Sequence, residues 1–126
     1  MKSIFNYLNF IKEKGRPLSE INSGSDEIAL TSQDALLALE LLNEGQTAIL
    51  GGDIFSEKED GELIYAYQLW GVGQEYHYLN WYCDKMDNES QEAYANRSYI
   101  VARAGIETAN NIAKHLGKKC YIVFVI

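Results

Sequence analysis

The sequence predicts an α+β domain in the order α-α-β-β-β-α-β, with a mostly antiparallel sheet and a long helix packed on it. Three observations carry that expectation. Apolar residues recur at helical spacing as far as Gly45 and then switch to strand-like alternation from Thr47. A long amphipathic stretch over roughly 90–116 follows the alternating region. The chain closes on CYIVFVI, a continuous apolar run of the kind found inside a sheet covered on both faces. At 126 residues, 47% of them apolar, the chain has the size and the material for one core, so residues 1–126 form a single domain.

Residues 3–14 place Ile4, Phe5, Leu8 and Ile11 on one helical face, and Gly15 with Pro17 stops the helix. Residues 19–31 mix serine, glycine and acids and read as loop. TSQDALLALELLNEG (31–45) is a helix capped by Thr31 or Ser32, with Asp34 at its positive end and Gly45 at its close. Its Ala/Leu interior predicts burial around most of its circumference. TAILGGDIF (47–55) reads as a strand and SEKEDGE (56–62) as a turn around Asp60-Gly61. ELIYAYQLW (62–70) returns as a second strand, with Leu63, Tyr65, Tyr67 and Leu69 on one face.

GVGQ (71–74) is a further turn signal, and EYHYLNWYCDK (75–85) a third strand. That strand sets Tyr76, Tyr78 and Tyr82 against His77, Leu79 and Trp81. The long helix opens after DNES, capped by Asn88 or Ser90. It gathers Glu92, Asn96, Arg103, Glu107, Asn110 and Lys114 on one arc. Ala95, Ala102, Ala109 and Leu116 lie opposite, with Val101, Gly105 and Ile112 beside them, small enough to lie close on a sheet.

The balance of 18 acidic against 11 basic residues gives a net charge of -7. From composition alone such a surface reads first as a device for solubility; as a functional feature it repels nucleic acid and anionic membranes and steers basic partners in. The opening MKSIFNYLNFIKEKG has no signal-peptide pattern, and no run approaches a membrane span. The two cysteines, Cys83 and Cys120, have no metal-like spacing and read as reduced thiols of a cytoplasmic protein. No cofactor or metal is expected.

ILGGDIF (49–55) is the unusual stretch, because strand interiors avoid glycine. It has neither a Walker-type nor a dinucleotide-loop pattern, and it continues into a strand. A bulge, with glycine at positive φ and Asp53 bonded to nearby backbone, is the expected structural role of Gly51, Gly52 and Asp53. Among nucleophiles only His77, Cys83 and Asp84 suggest catalysis. On one strand His77 and Cys83 would stand about 20 Å apart. A partner such as His115 would have to come from elsewhere.

Two pieces taken together, TSQDALLALELLNEGQTAILGGDIF and NWYCDKMDNESQEAYANRS, resemble the bacterial immunity protein 40 family. ILGGD followed by NWYCDK and E-S-x-E-x-Y carries the resemblance, which spans roughly residues 25–126. The chain departs from the pattern by a longer middle around QLWGVGQEYHYL. The resemblance implies a cytoplasmic antidote of a polymorphic-toxin or contact-dependent growth inhibition system. Such a protein has no catalysis of its own and binds the C-terminal domain of a cognate toxin; many such toxins are nucleases whose phosphate-holding sites are basic, which fits the net charge of -7. It also casts Gly51, Gly52, Asp53 and Trp81 as fold determinants, since features shared by antidotes to different toxins are scaffold.

Charge and turn placement nominate the toxin-binding residues. Glu57, Glu59, Asp60 and Glu62 form an acidic hairpin suited to mimic nucleic acid. Trp70 and Tyr76 are the candidate aromatic anchors, from a cluster that also holds Tyr78, Trp81 and Tyr82. The chain is expected to act as a monomer or weak dimer. Two other classes remain open: a small thiol hydrolase using Cys83, and a ligand-binding module with GVGQEYHY as a pocket lip.

Overall fold

The computed structural model describes residues 4–20, 24–71 and 79–126. Helix α1 (Ile4–Lys14) sinks Tyr7, whose hydroxyl burial pushes up to about 12 and whose ring meets Phe124 edge-on at 6.3 Å. Ile4, Leu8 and Ile11 pack beside it, while Phe5 lies on the flank and is exposed, against the sequence expectation.

The stretch expected as loop, 19–31, holds a strand among its described residues, and a 3₁₀ turn, Leu18–Glu20, runs into its start. Strand β1 (Arg16–Pro17) pairs with β2 (Ile28–Thr31), and β2 pairs in turn with the final strand, β6 (Tyr121–Val125). A central strand needs a hydrogen-bonding partner on each side. Four residues, IALT, supply one of them, too few to show a period.

Thr31 caps α2 (Ser32–Glu44) by accepting from Asp34 N at 3.2 Å. Ala35, Ala38, Leu39 and Leu42 are buried but Leu37 is exposed, so α2 is covered on one side and not around most of its girth. Strand β3 (Gly51–Glu57) turns through Gly61, at φ +89°, into β4 (Leu63–Tyr65). The second strand expected over 62–70 stops there. Ala66–Trp70 is a short helix, α3, because Ala66 and Trp70, one turn apart, both enter the core.

Of the third expected strand, 75–85, residues 75–78 lie outside the described residues, as does most of GVGQ, and Trp81–Tyr82 form β5. β5 pairs with Gly51 and Gly52 on the edge of β3 that β4 also occupies. Between them the Asn80 side-chain oxygen accepts from Ile54 N at 2.7 Å and replaces a ladder bond.

Ser90 caps α4 (Gln91–Leu116), which ends on Gly117 in the left-handed region. The sheet is antiparallel at every pairing, in the order β1-β2-β6-β3-β4 with β5 beside β3. The four helices among the described residues bury against one face, around Ile54, Ile122, Trp81 and Phe124. The opposite face holds a smaller cluster of Leu18, Ala29, Phe55, Leu63, Tyr121 and Val123. The class is α+β, with β1, β2 and α3 added to the expected order.

Candidate functional site

Strand β3 organises the surface, because its alternation separates two jobs. Gly52, Ile54 and Ser56 point to the helices, whereas Gly51, Asp53, Phe55 and Glu57 belong to the other face. The glycines do not make a bulge. Pairing with β6 is continuous from Gly51↔Val125 to Phe55↔Tyr121, and neither glycine has positive φ. They are there for close approach. A Cβ on Gly52 would lie 2.2 Å from the Trp81 ring, and one on Gly51 would lie 2.4 Å from the Trp81 carbonyl oxygen. The other side of that ring is met by Gly105 of α4, where a Cβ would fall 2.8 Å away. Trp81 is thus held between sheet and helix by the absence of two side chains.

At the hairpin end of β3 the carboxylates are matched by cations. Glu57, only 17% exposed, accepts from Arg16 at 2.8 Å, Lys119 at 3.1 Å and the Tyr121 hydroxyl at 2.8 Å. The Tyr121 and Lys119 hydrogen bonds hold its carboxyl below the usual range. Arg16 also donates to the Gly61 carbonyl at 2.7 Å and lies over the Tyr121 ring. Lys58 sits 3.7 Å from Asp60 and 3.6 Å from Glu62. Asp60 accepts from Glu62 N, which closes the turn and lowers its pKa. Glu59 is exposed.

At the other end of β3 the pattern reverses. Asp53 is half-buried, its side chain has no hydrogen bond or ion pair among the described residues, and burial pushes its carboxyl up. Glu27 is also raised, by burial and then by the charges of Asp53 and Asp26. Tyr65 lies close enough to feel Asp53, Glu27, Tyr67 and Tyr82, so the five share one region of the face. The Phe55, Tyr65 and Tyr67 rings stack in series, at 4.6 Å and then 5.6 Å. Tyr82 is 76% exposed and Tyr65 39%. Trp70 is buried, at 6% exposure, and Tyr76 and Tyr78 lie outside the described residues.

Cys83 belongs to a clasp. Arg97 grips Glu89 with two bonds, at 2.8 and 2.9 Å, and also donates to the Asp84 carbonyl at 2.6 Å and the Cys83 sulfur at 3.2 Å. Arg97 holds the Glu89 carboxyl down to about 2. Tyr94 donates to the Cys83 carbonyl at 2.6 Å. His77 is outside the described residues; His115 stands eighteen positions beyond Arg97 on α4, about 27 Å along the helix. Among the described residues no group of three or more His, Cys, Asp or Glu could hold a metal ion, and no helix is long and apolar enough to cross a membrane.

A family model described as immunity protein 40 matches residues 17–126, nearly the whole chain. The chain belongs to the immunity protein 40 family. No curated protein and no solved structure matches it. The segments that resemble the family acquire physical roles in this immunity protein. Asn80, Trp81 and Cys83 of NWYCDK fix β5 to β3 and α4. In E-S-x-E-x-Y, Glu89 receives Arg97, Ser90 caps α4 and Tyr94 ties the helix to Cys83. Sequence reading passed over the Glu89–Arg97 pair and the half-buried carboxyl of Asp53, unpaired among the described residues. Alternation of Gly51, Asp53, Phe55 and Glu57 along one strand face was the available signal for the second.

Proposed function

We propose that this immunity protein binds a cognate toxin domain of basic surface and neutralises it by covering its active site. The family match over 17–126 carries the reading, because membership implies an immunity role. The net charge of -7 supports a basic partner, and a nuclease is one class whose phosphate-holding site is basic. The toxin would come from a polymorphic or contact-dependent system and be met in the cytoplasm.

Within that reading the hairpin acts as a charged rim. Glu59, Asp60 and Glu62 face solvent and raise the rate of encounter with a cationic surface. Glu57 contributes through the fold, since its charge is taken up by Arg16 and Lys119. Catalysis has no part in it: Cys83 serves the clasp, so Cys83→Ser should leave neutralisation intact.

Co-expression tests the reading. The tagged chain is produced with the untagged toxin domain encoded beside it, and binding is measured by calorimetry. A one-to-one complex with restored growth is the expected result. Neither complex nor rescue would sink it.

A further inference from the structure

The sheet face opposite the helices differs along its length. Its hairpin half is covered by Leu18 and by Arg16, which spans from Glu57 to the Tyr121 ring. Its β5 half presents Asp53, Glu27, Tyr65 and Tyr82, among the described residues with no cation set against either carboxylate. We propose that this half of the face is where the toxin docks, and that its occupant is a lysine or arginine side chain of the toxin domain. The charged head lies at Asp53 and Glu27, and the aliphatic stem lies on the Tyr65 and Tyr82 rings. The assignment rests on the neutralising role proposed above and names the surface and partner chemistry for it.

Charge complementarity identifies the occupant. Two other acids set into the fold have cations of their own: Glu57 has Arg16 and Lys119, and Glu89 has Arg97. Asp53 is partly withdrawn from water without that compensation, an arrangement unfavourable in the isolated chain. A cation arriving from outside removes the penalty and gains a charge-assisted bond in a partly dry setting. The tyrosines suit the same guest. A guanidinium or ammonium is attracted to an aromatic face, and long cationic side chains lay their stems on apolar surface. Stacking on Phe55 holds the Tyr65 ring in place before the partner arrives, which limits the entropy lost on binding.

The surroundings continue the surface. Val125 pairs with Gly51 from one side and Tyr82 from the other, so an apolar and an aromatic residue flank a position that has no side chain of its own. Val125 is 38% exposed. An aromatic-apolar centre with a few placed charges is what distinguishes interface cores from ordinary surface.

The test uses the whole chain and the toxin domain encoded beside it. Asp53→Asn with Glu27→Gln removes the charges and keeps the shapes; Tyr82→Ala removes an exposed ring. Thermal melting checks folding. At least tenfold weaker binding for the double variant, mostly in dissociation rate and with melting unchanged or raised, supports the docking site. Binding within twofold of wild type for both variants would overturn the site while leaving neutralisation standing. Loss of the complex on reversing Glu59, Asp60 and Glu62, with the double variant still tight, would move docking to the hairpin and also overturn it. No complex with the wild-type chain would end this proposal together with the reading beneath it.

Discussion

The two ends of β3 carry acids of opposite character. Glu57 faces Arg16, Lys119 and Tyr121; Asp53, four residues earlier on the same face, has Glu27 and tyrosines near it and no cation set against it among the described residues. One carboxylate has its pKa lowered by its partners and the other has it raised by burial. Carboxylate count is therefore a poor guide to where a protein meets a cationic partner. An acid already paired has spent its field on its own lysines, whereas an unpaired, partly dry acid gains most from a foreign cation.

Charge reversal at Asp53 breaks the comparison hardest. Asp53→Lys sets like charge against an incoming lysine or arginine and is expected to weaken toxin binding about a hundredfold, some 2.7 kcal/mol. Surface-plasmon dissociation rates should carry most of the loss. Removing charge at the paired end acts elsewhere. Glu57→Gln leaves Arg16 and Lys119 without their carboxylate and is expected to lower stability by about 1–3 kcal/mol. Urea unfolding would measure that loss, with affinity for the toxin changed little in the folded fraction.

The pH dependence separates the same two acids. Glu57 has a lowered folded pKa, so its stabilisation is complete above its unfolded value near 4.5 and fades as pH falls through the folded value. Glu57→Gln should flatten that acid limb. Glu89, held at about 2, follows the same sign and loses its contribution between about 4.5 and that value.

Much of the fold was legible because three signals are local. The cap at Thr31, the helical period from 90 to 116 and the apolar run of CYIVFVI each need only neighbours in sequence. Two misreadings share one cause. ELIYAYQLW alternates like a strand, yet Ala66 and Trp70 go into the core one helical turn apart, and only the packing decides which period wins. β2 exists because β6 offers it an edge, and β6 lies ninety residues further on.

The site was less legible for the same reason. The acidic run 57–62 is plain in the sequence, but the cations that neutralise Glu57 come from 41 and 62 residues away. Asp53 drew notice only through its two glycines. Those answer to Trp81, which leaves the aspartate as a separate fact about the other face.

Milder effects are expected at the hairpin tip. Changing Glu59, Asp60 and Glu62 together to lysine removes steering charge from positions open to water. Association at low salt should slow by about three- to tenfold, and the difference should shrink as ionic strength rises past about 0.15 M. Stopped-flow mixing at two salt concentrations checks it. Equal effects at both would mean that these residues touch the toxin directly and that the division between rim and docking face is wrong.

The smallest effect is also the one that tests the unpaired acid without any toxin. A carboxyl whose folded pKa lies above its unfolded value binds its proton more tightly in the native state, so stability falls as pH rises through that window. For Asp53 the window opens upward from 3.8, and above it the ionised group disfavours folding. Asp53→Asn keeps the shape and removes the charge. The variant should melt higher than the wild type at neutral pH, by about 2 °C or half a kcal/mol, and the gap should close in acid. Together with weakened binding this is the signature of a residue kept for its partner at the expense of the free fold. A variant that melts lower at pH 7 would mean that Asp53 is ionised to the fold's advantage, as Glu57 is, and the contrast between the two ends of β3 would disappear.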